Sequence, residues 1–213
     1  MNILVVKANN RPASQGVSSR MYDTFMETVK EAKGININVY DVFEEDMPYV
    51  GQDLFNAFAK LQKGEPLADI EQRILAAKQK AKDAVSKADV VVIAFPLWNC
   101  TIPAALHTFI DYITEAGFTF KYGSQGELIN LMPDKKVILL NARGGVYSSP
   151  EMQPMEMAVN YMRNMFSKVF GMEIIDEVII EGHNSNPDQA EAIIEEGLQK
   201  VKEVVSKLAM QLV

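Results

Sequence analysis

Five short runs rich in β-branched residues alternate with segments of 3.6-residue apolar period, and this alternation limits the fold more than any other feature. The runs are Ile3 to Val6, Ile35 to Tyr40, Val90 to Phe95, Val137 to Leu140 and Ile174 to Ile180. The first, third and fourth are almost continuously apolar, the pattern of parallel strands covered on both faces. Over Ser18 to Ala32, apolar residues recur at 21, 22, 25, 26 and 29; over Asp69 to Lys87 they recur at 70, 74, 77, 81 and 85. Further helices are expected over Ile102 to Glu115, Gln153 to Phe170 and Pro187 to Ala209, with a short one over Leu54 to Leu61. Such alternation implies right-handed βαβ units and an open three-layer α/β/α sandwich.

The chain of 213 residues has no internal repeat, low-complexity tract or long linker, so one domain over residues 1–213 is expected. Apolar residues make up 48% and charged residues 23%, enough for a substantial core. A net charge of −7 argues against a nucleic-acid partner, which requires clustered Lys and Arg. No apolar run approaches the roughly 20 residues needed to cross a bilayer, so no membrane association is expected. The opening MNILVVKANN reads as a first strand rather than a secretory signal, which makes the cytoplasm the expected location. Cys100 is the only cysteine and His107 and His183 lie far apart. An internal disulfide is thereby excluded, and no protein-built metal site is expected.

In open α/β sheets a ligand lies beyond the carboxyl ends of the strands, where the strand order reverses. Three loops then matter. The first, Lys7 to Val17, leads into a helix starting near Ser18. It offers Asn9, Asn10, Ser14, Gln15, Ser18 and Ser19 as donors, and the helix start adds unpaired N–H groups that suit a phosphate. It carries neither a dinucleotide fingerprint nor a Walker loop. Taken alone, Ser18 equally fits an ordinary helix cap.

The second loop is Pro96-Leu97-Trp98-Asn99-Cys100-Thr101-Ile102-Pro103. Pro96 turns the chain away from the sheet, Thr101 is a candidate cap, and Pro103 suits the first helical turn. Leu97 and Trp98 offer a wall for a planar heteroaromatic, and Asn99 with the backbone N–H groups of 99 and 100 offers polar contacts to its edge. Ordinary packing and a turn-forming asparagine account for the same residues equally well. In the third loop, Asn141-Ala142-Arg143-Gly144-Gly145, the paired glycines allow close backbone approach and a nest of N–H groups for an anion; a flexible turn is the alternative. Two connections, 41–68 and 117–134, exceed ordinary length and are expected to cover something. In the second of these, Phe118, Phe120 and Tyr122 alternate and would share one face of an extended segment.

Together these pieces resemble the FMN-dependent NADH azoreductases, also described as NADH:quinone reductases, of the flavodoxin-like superfamily. The likeness rests on MNILVVKANN, SSRMYDTF, VIAFPLWNCTIPAALHTFIDYI, GFTFKY, VILLNARGGVY and FGMEIIDEVIIEG, and so spans essentially the whole chain. The proline-Trp-Asn-Pro segment followed by GFTFKY is its most specific part. The resemblance implies a flavodoxin-like fold with a five-stranded parallel sheet in the order 2-1-3-4-5. It implies FMN held at its phosphate by Asn9, Val17, Ser18 and Ser19. The ring system would lie against Pro96, Leu97, Trp98, Asn99 and Cys100, with its pyrimidine end facing Ala142, Arg143, Gly144 and Gly145. It further implies a homodimer, NADH as electron donor, and quinones and aromatic azo compounds as acceptors in a pocket shaped by Phe118, Phe120 and Tyr122. Asn9 and Asn10 stand where many relatives carry serines, and Cys100 replaces a larger apolar residue.

The implied chemistry is two-electron ping-pong transfer with no catalytic protein residue required. A nucleophilic role for Cys100 lacks a neighbouring base. A flavodoxin-type electron carrier, or a redox-sensing flavoprotein with no small-molecule substrate, is the alternative reading.

Overall fold

The computed structural model describes residues 1–210, so the last three positions of the expected 1–213 unit lie outside the described residues. The chain runs β1 (Asn2–Lys7), α1 (Val17–Val29), β2 (Asn36–Asp41), α2 (Gln52–Lys63), α3 (Asp69–Lys87), β3 (Val90–Pro96) and α4 (Ala104–Ile113). It continues with β4 (Phe120–Tyr122), β5 (Leu128–Asn130), β6 (Lys136–Arg143), α5 (Val159–Arg163), β7 (Glu173–Glu181) and α6 (Ala190–Met210). The main sheet is parallel with the order β2-β1-β3-β6-β7. Because β4 and β5 form a separate antiparallel hairpin, this is the expected 2-1-3-4-5 arrangement. No helix of the described residues is long and apolar enough to cross a membrane.

Strand pleating sorts the side chains of the central strands between two cores. Val91, Ile93 and Phe95 of β3, with Val137 and Leu139 of β6, meet Ile74, Ala81, Val85, Leu106, Phe109 and Phe166 on one face. Val90, Val92 and Ala94, with Ile138 and Leu140, meet Met21, Phe25, Val29, Leu198, Val201 and Val205 of α1 and α6 on the other. All seven residues of β3 are buried, which explains why that run contains no polar side chain.

Several expectations need correction. The single helix expected over Gln153 to Phe170 is broken into a 3₁₀ turn (Gln153–Met155), α5 and a π-helical turn (Asn164–Val169). The Glu156 carboxylate causes the first break. It accepts the N–H groups of Ala158, Val159 and Asn160 at 3.2, 2.8 and 3.1 Å, taking the donors that a continuous helix would direct to its own carbonyls. The helix expected from Ile102 begins at Ala104, with Pro103 as its N-cap rather than in its first turn. Thr101 is not the cap, as the helix start at Pro103 has no side-chain cap bond; its backbone N–H and C=O pair instead with Trp98 at 3.0 and 2.9 Å.

The aromatic alternation also begins later than expected. Residues 115–119 form a turn in which Phe118 and Thr119 both donate backbone N–H groups to the Glu115 carbonyl, and Gly117 has φ +89°. Phe118 therefore leaves the hairpin face: it packs against the core with the Lys82 ammonium 5.0 Å from its ring centroid. Only Phe120 and Tyr122 remain together, edge to face at 5.5 Å.

The base of that hairpin is held by a charge cluster. Buried Lys78 donates to the Tyr112 carbonyl at 2.7 Å and pairs with Glu115 at 3.0 Å, while Lys82 pairs with the same carboxylate at 2.6 Å. Burial pushes the Glu115 carboxyl up, but the two ammonium groups outweigh it and hold it below its ordinary value. Removing the carboxylate leaves a buried ammonium facing one carbonyl. Glu115→Ala is expected to lower stability by about 2 kcal/mol, less than for a fully buried pair because Glu115 is partly exposed. Chemical denaturation measures this; an unchanged midpoint would show that the cluster contributes nothing net.

Candidate flavin site

The site starts where a strand stops pairing. Ala8 donates its N–H to the Ala94 carbonyl at 2.9 Å. In a parallel ladder the Ala8 carbonyl would next accept from residue 96, and Pro96 has no N–H to give. The β1–β3 ladder ends there, while β3 stays paired with β6 for one residue more through Leu97 N–H to Ala142 O at 2.9 Å. Pro96 thus remains in the strand, in register with Ala142, and what it ends is the pairing toward β1. A cavity of about 500 Å³ opens between the loops after β1, β3 and β6, within the size range of small-molecule sites.

One end of this cavity is built for an anion. Gly16 is the N-cap of α1 and supplies no side-chain cap, so the first N–H groups of the helix remain free for a ligand. Any Cβ at Gly16 would sit 3.0 Å from Asn9 Nδ2 and 3.2 Å from Ser19 Oγ, a tight fit, so the close approach of loop and helix favours glycine. Buried Asn9 donates to Ser18 Oγ at 2.8 Å and accepts from the Arg11 N–H at 3.0 Å. Ser18 therefore accepts inside the protein and retains its own proton for a ligand. Arg11 and Arg20 also line this end, although Arg20 is held by Glu191 and Glu195 at 2.7 and 2.6 Å.

Of the expected cofactor residues, Asn9, Val17, Ser18, Pro96, Leu97 and Trp98 line this cavity, as do Ala142, Arg143 and Gly144. Ser19, Asn99, Cys100 and Gly145 do not. Ser19 spends its hydroxyl on the Arg11 carbonyl at 2.7 Å. Asn99 lines a second, more apolar cavity of about 600 Å³ across Trp98, together with Phe43, Met47, Tyr49 and His107. Phe118, Phe120 and Tyr122 line neither cavity.

Two local geometries decide between readings that the sequence left open. Asn99 (φ 50°) and Cys100 (φ 67°) are both left-handed, and Trp98 bridges Thr101. Together they make a two-residue hairpin turn with both central residues at positive φ, which favours Asn at the first. Asn99 is thus selected by the turn as well as by any ligand. The third loop forms no nest, because neither Gly144 nor Gly145 has the positive φ that the alternating geometry needs. Gly144 is required for space instead: its Cβ would lie 2.2 Å from Asn184 Nδ2. The Arg143 guanidinium is not free for a ligand, being bound to Glu181 at 2.8 Å and facing Glu156 at 3.4 Å.

The loop after β7 also reaches the cavity through His183 and Asn184, so four loops rather than the expected three surround it. The polar run Gly182-His183-Asn184-Ser185-Asn186 directly after a strand was the available signal. Burial lowers the His183 pKa from its ordinary value, so the ring is neutral at pH 7. Its Nδ1 is buried without a hydrogen-bond partner among the described residues.

The left-handed conformation at Asn99 and Cys100 makes stability there depend on how readily each residue type adopts positive φ. Cys100→Gly is expected to raise stability by about 0.5–1 kcal/mol by removing left-handed strain, and Cys100→Val to lower it by at least as much. Asn99→Gly should leave stability near that of the parent, whereas Asn99→Ala costs about 1 kcal/mol. Denaturation midpoints for the four variants check this; equal stability of Asn99→Gly and Asn99→Ala would show that the turn does not select the residue.

The chain is similar to known proteins in both sequence and fold. A family profile described as flavodoxin-like fold matches residues 1–205. The chain is 48% identical over 206 residues to FMN-dependent NADH:quinone oxidoreductase 3 of Bacillus cereus, covering 96% of this chain and 98% of that protein. FMN-dependent NADH:quinone oxidoreductase 4 from a second Bacillus cereus strain is also 48% identical over 206 residues, with the same 96% and 98% coverage. Among solved structures, an azoreductase from Bacillus anthracis str. Sterne superposes with a TM-score of 0.88 at 46% identity, covering 97% of this chain and 99% of that one. This chain therefore belongs to the flavodoxin-like family of FMN-dependent NADH:quinone oxidoreductases and azoreductases.

Proposed function

We propose that this protein is an FMN-dependent NADH:quinone oxidoreductase that also reductively cleaves aromatic azo compounds to amines, with residues 1–213 acting as one flavin-binding unit. One observation carries the reading. A single cavity joins the uncapped start of α1, with Ser18 and Arg11, to a flat wall made by Leu97, Trp98 and the Gly144 backbone. That is one anion site, at a helix start, beside a wall that suits a planar ring, the pairing a flavin mononucleotide needs. The names of the relatives agree with it.

Bound FMN supplies the hydride-accepting and hydride-donating chemistry. The chain does the rest. Val17 and Ser18 hold the phosphate end, Asn9 and Ser19 fix the loop that presents them, and Leu97 and Trp98 exclude water from one side of the ring. The second cavity, lined by Phe43, Met47, Tyr49, Trp98 and Asn99, suits a flat acceptor of low charge such as a quinone or an aromatic azo compound. Bound FMN would leave one face open to both substrates, so donor and acceptor bind in turn, the acceptor extending past Trp98 toward Phe43 and Met47, which gives ping-pong kinetics. That apolar cavity also sets the protein apart from an electron carrier serving only protein partners, which has no use for it. NADH as donor and an unpaired Cys100 fit the cytoplasm as the place of work.

The test begins with the purified protein, expected to be yellow and to release FMN, not FAD, on acid treatment. It should oxidise NADH with menadione as acceptor, with parallel double-reciprocal lines. A folded preparation that takes up no flavin, or flavin-loaded protein that oxidises no NADH with any quinone, would overturn the reading.

We further propose that the working unit is a homodimer. Tyr49, Phe55 and Tyr122 are 77%, 62% and 66% exposed, aromatic surface that a second subunit could cover. A two-fold interface covers such faces pairwise and would bring the Phe120–Tyr122 hairpin of one subunit toward its mate. Sedimentation of the FMN-loaded protein should give twice the chain mass, with specific activity falling on dilution below the dimer dissociation constant. A monomer with undiminished specific activity would remove the dimer from the account.

A further inference from the structure

Glu181, the last residue of β7, sits behind the wall of the first cavity rather than in it. Its carboxylate accepts from Arg143 Nε at 2.9 Å, from the Tyr147 and Ser148 backbone N–H groups at 3.0 and 3.2 Å, and from the Ser148 hydroxyl. Arg143 is 6% exposed and its second contact is to Glu156, also 6% exposed. The Tyr147 ring lies over the Arg143 guanidinium at 5.8 Å and reaches the Cys100 side chain. Backbone bonds complete the lattice: Gly182 N–H reaches the Arg143 and Gly145 carbonyls, both at 3.2 Å, and Asn184 N–H reaches the Gly144 carbonyl at 3.0 Å. The loops after β6 and β7 are thus one cross-linked body. Ala142, Arg143, Gly144, His183 and Asn184, all in that body, line the cavity.

We propose that Glu181 is a positioning residue that sets where this wall stands against the flavin ring, and that the Glu181–Arg143–Glu156 group, with Arg143 and Glu156 buried and Glu181 partly exposed, tunes the flavin through its charge. This rests on FMN occupying the first cavity. Two carboxylates and one guanidinium leave one negative charge in the group when all are ionised. Burial pushes Glu181 up, but the Ser148 hydroxyl and the Arg143 charge outweigh it and hold the carboxyl below its ordinary value, so it is ionised at pH 7. A negative charge near the ring disfavours the anionic reduced flavin more than the neutral oxidised one. Neutralising Glu181 should therefore make the bound flavin easier to reduce.

The experiment compares the parent, Glu181→Gln and Glu177→Gln as FMN-loaded proteins. Glu177 lies on the same strand and pairs with half-exposed Arg163, away from the cavity, so it controls for loss of an ion pair in general. Glu181→Gln is expected to weaken FMN binding about tenfold by fluorescence titration and to raise the flavin midpoint potential, while Glu177→Gln changes neither. Equal FMN affinity and equal potential in Glu181→Gln and the parent, whatever happens to the melting temperature, would overturn the proposal. If Glu181→Gln does not fold, Ser148→Ala removes one donor and keeps the charge. It should weaken FMN about threefold with the potential unchanged, and parental FMN affinity there would also overturn the proposal. Failure of the parent itself to take up FMN is a separate result: it would overturn the proposed function.

Discussion

The missing N–H of Pro96 is the constraint on which the site depends. β3 is buried along its whole length and held by β1 on one side and β6 on the other. A strand in that position normally pairs to its end on both sides. Here the ladder toward β1 stops after the Ala8–Ala94 bond, while the ladder toward β6 continues through Leu97. The two neighbours of β3 therefore part at the carboxyl edge, where the connections leave in opposite directions, and the cavity lies in that gap.

Around the gap, most polar side chains hold the protein to itself rather than wait for a ligand. Asn9 and Ser19 secure the first loop, Glu156 starts α5, and Glu181 binds the third loop to the strand beside it. The groups left for a ligand are the free N–H groups at the start of α1, the Ser18 proton, the Arg11 and His183 side chains, and the backbone and apolar faces of the second and third loops. Such an arrangement pre-organises a site, because the entropy of ordering those loops is lost on folding and not on binding. It also accounts for charged residues close to a cavity whose planar section has apolar walls.

Several sequence expectations failed for a shared reason. Thr101 looked like a cap, Phe118 like a member of an aromatic face, and the two glycines like a nest. Each inference assumed a local conformation typical of its residue type. The tight turn at Asn99 and Cys100 used the Thr101 backbone, the turn at Gly117 rotated Phe118 into the core, and Asn184 took the space beside Gly144. In each case a neighbour distant in sequence or a turn of two residues decided the geometry, and neither leaves a periodic signal.

The sequence by itself determined the layers. Hydrophobic periodicity reports burial directly, so the strands, the long helices, the parallel sheet and the ends of the strands facing a ligand were all legible from residue spacing. Pro96 could be read as the end of something, and Asn9, Ser18, Leu97 and Trp98 as neighbours of one site. Only the tertiary structure decided which ladder Pro96 ends, that Arg143 faces two carboxylates, and that His183 and Asn184 join the cavity from the last loop. These depend on contacts between residues remote along the chain, as with Arg143 and Glu181 or Gly144 and Asn184. A linear pattern of apolar and polar residues records burial, whereas the partner of a buried charge is fixed only when the strands are placed side by side.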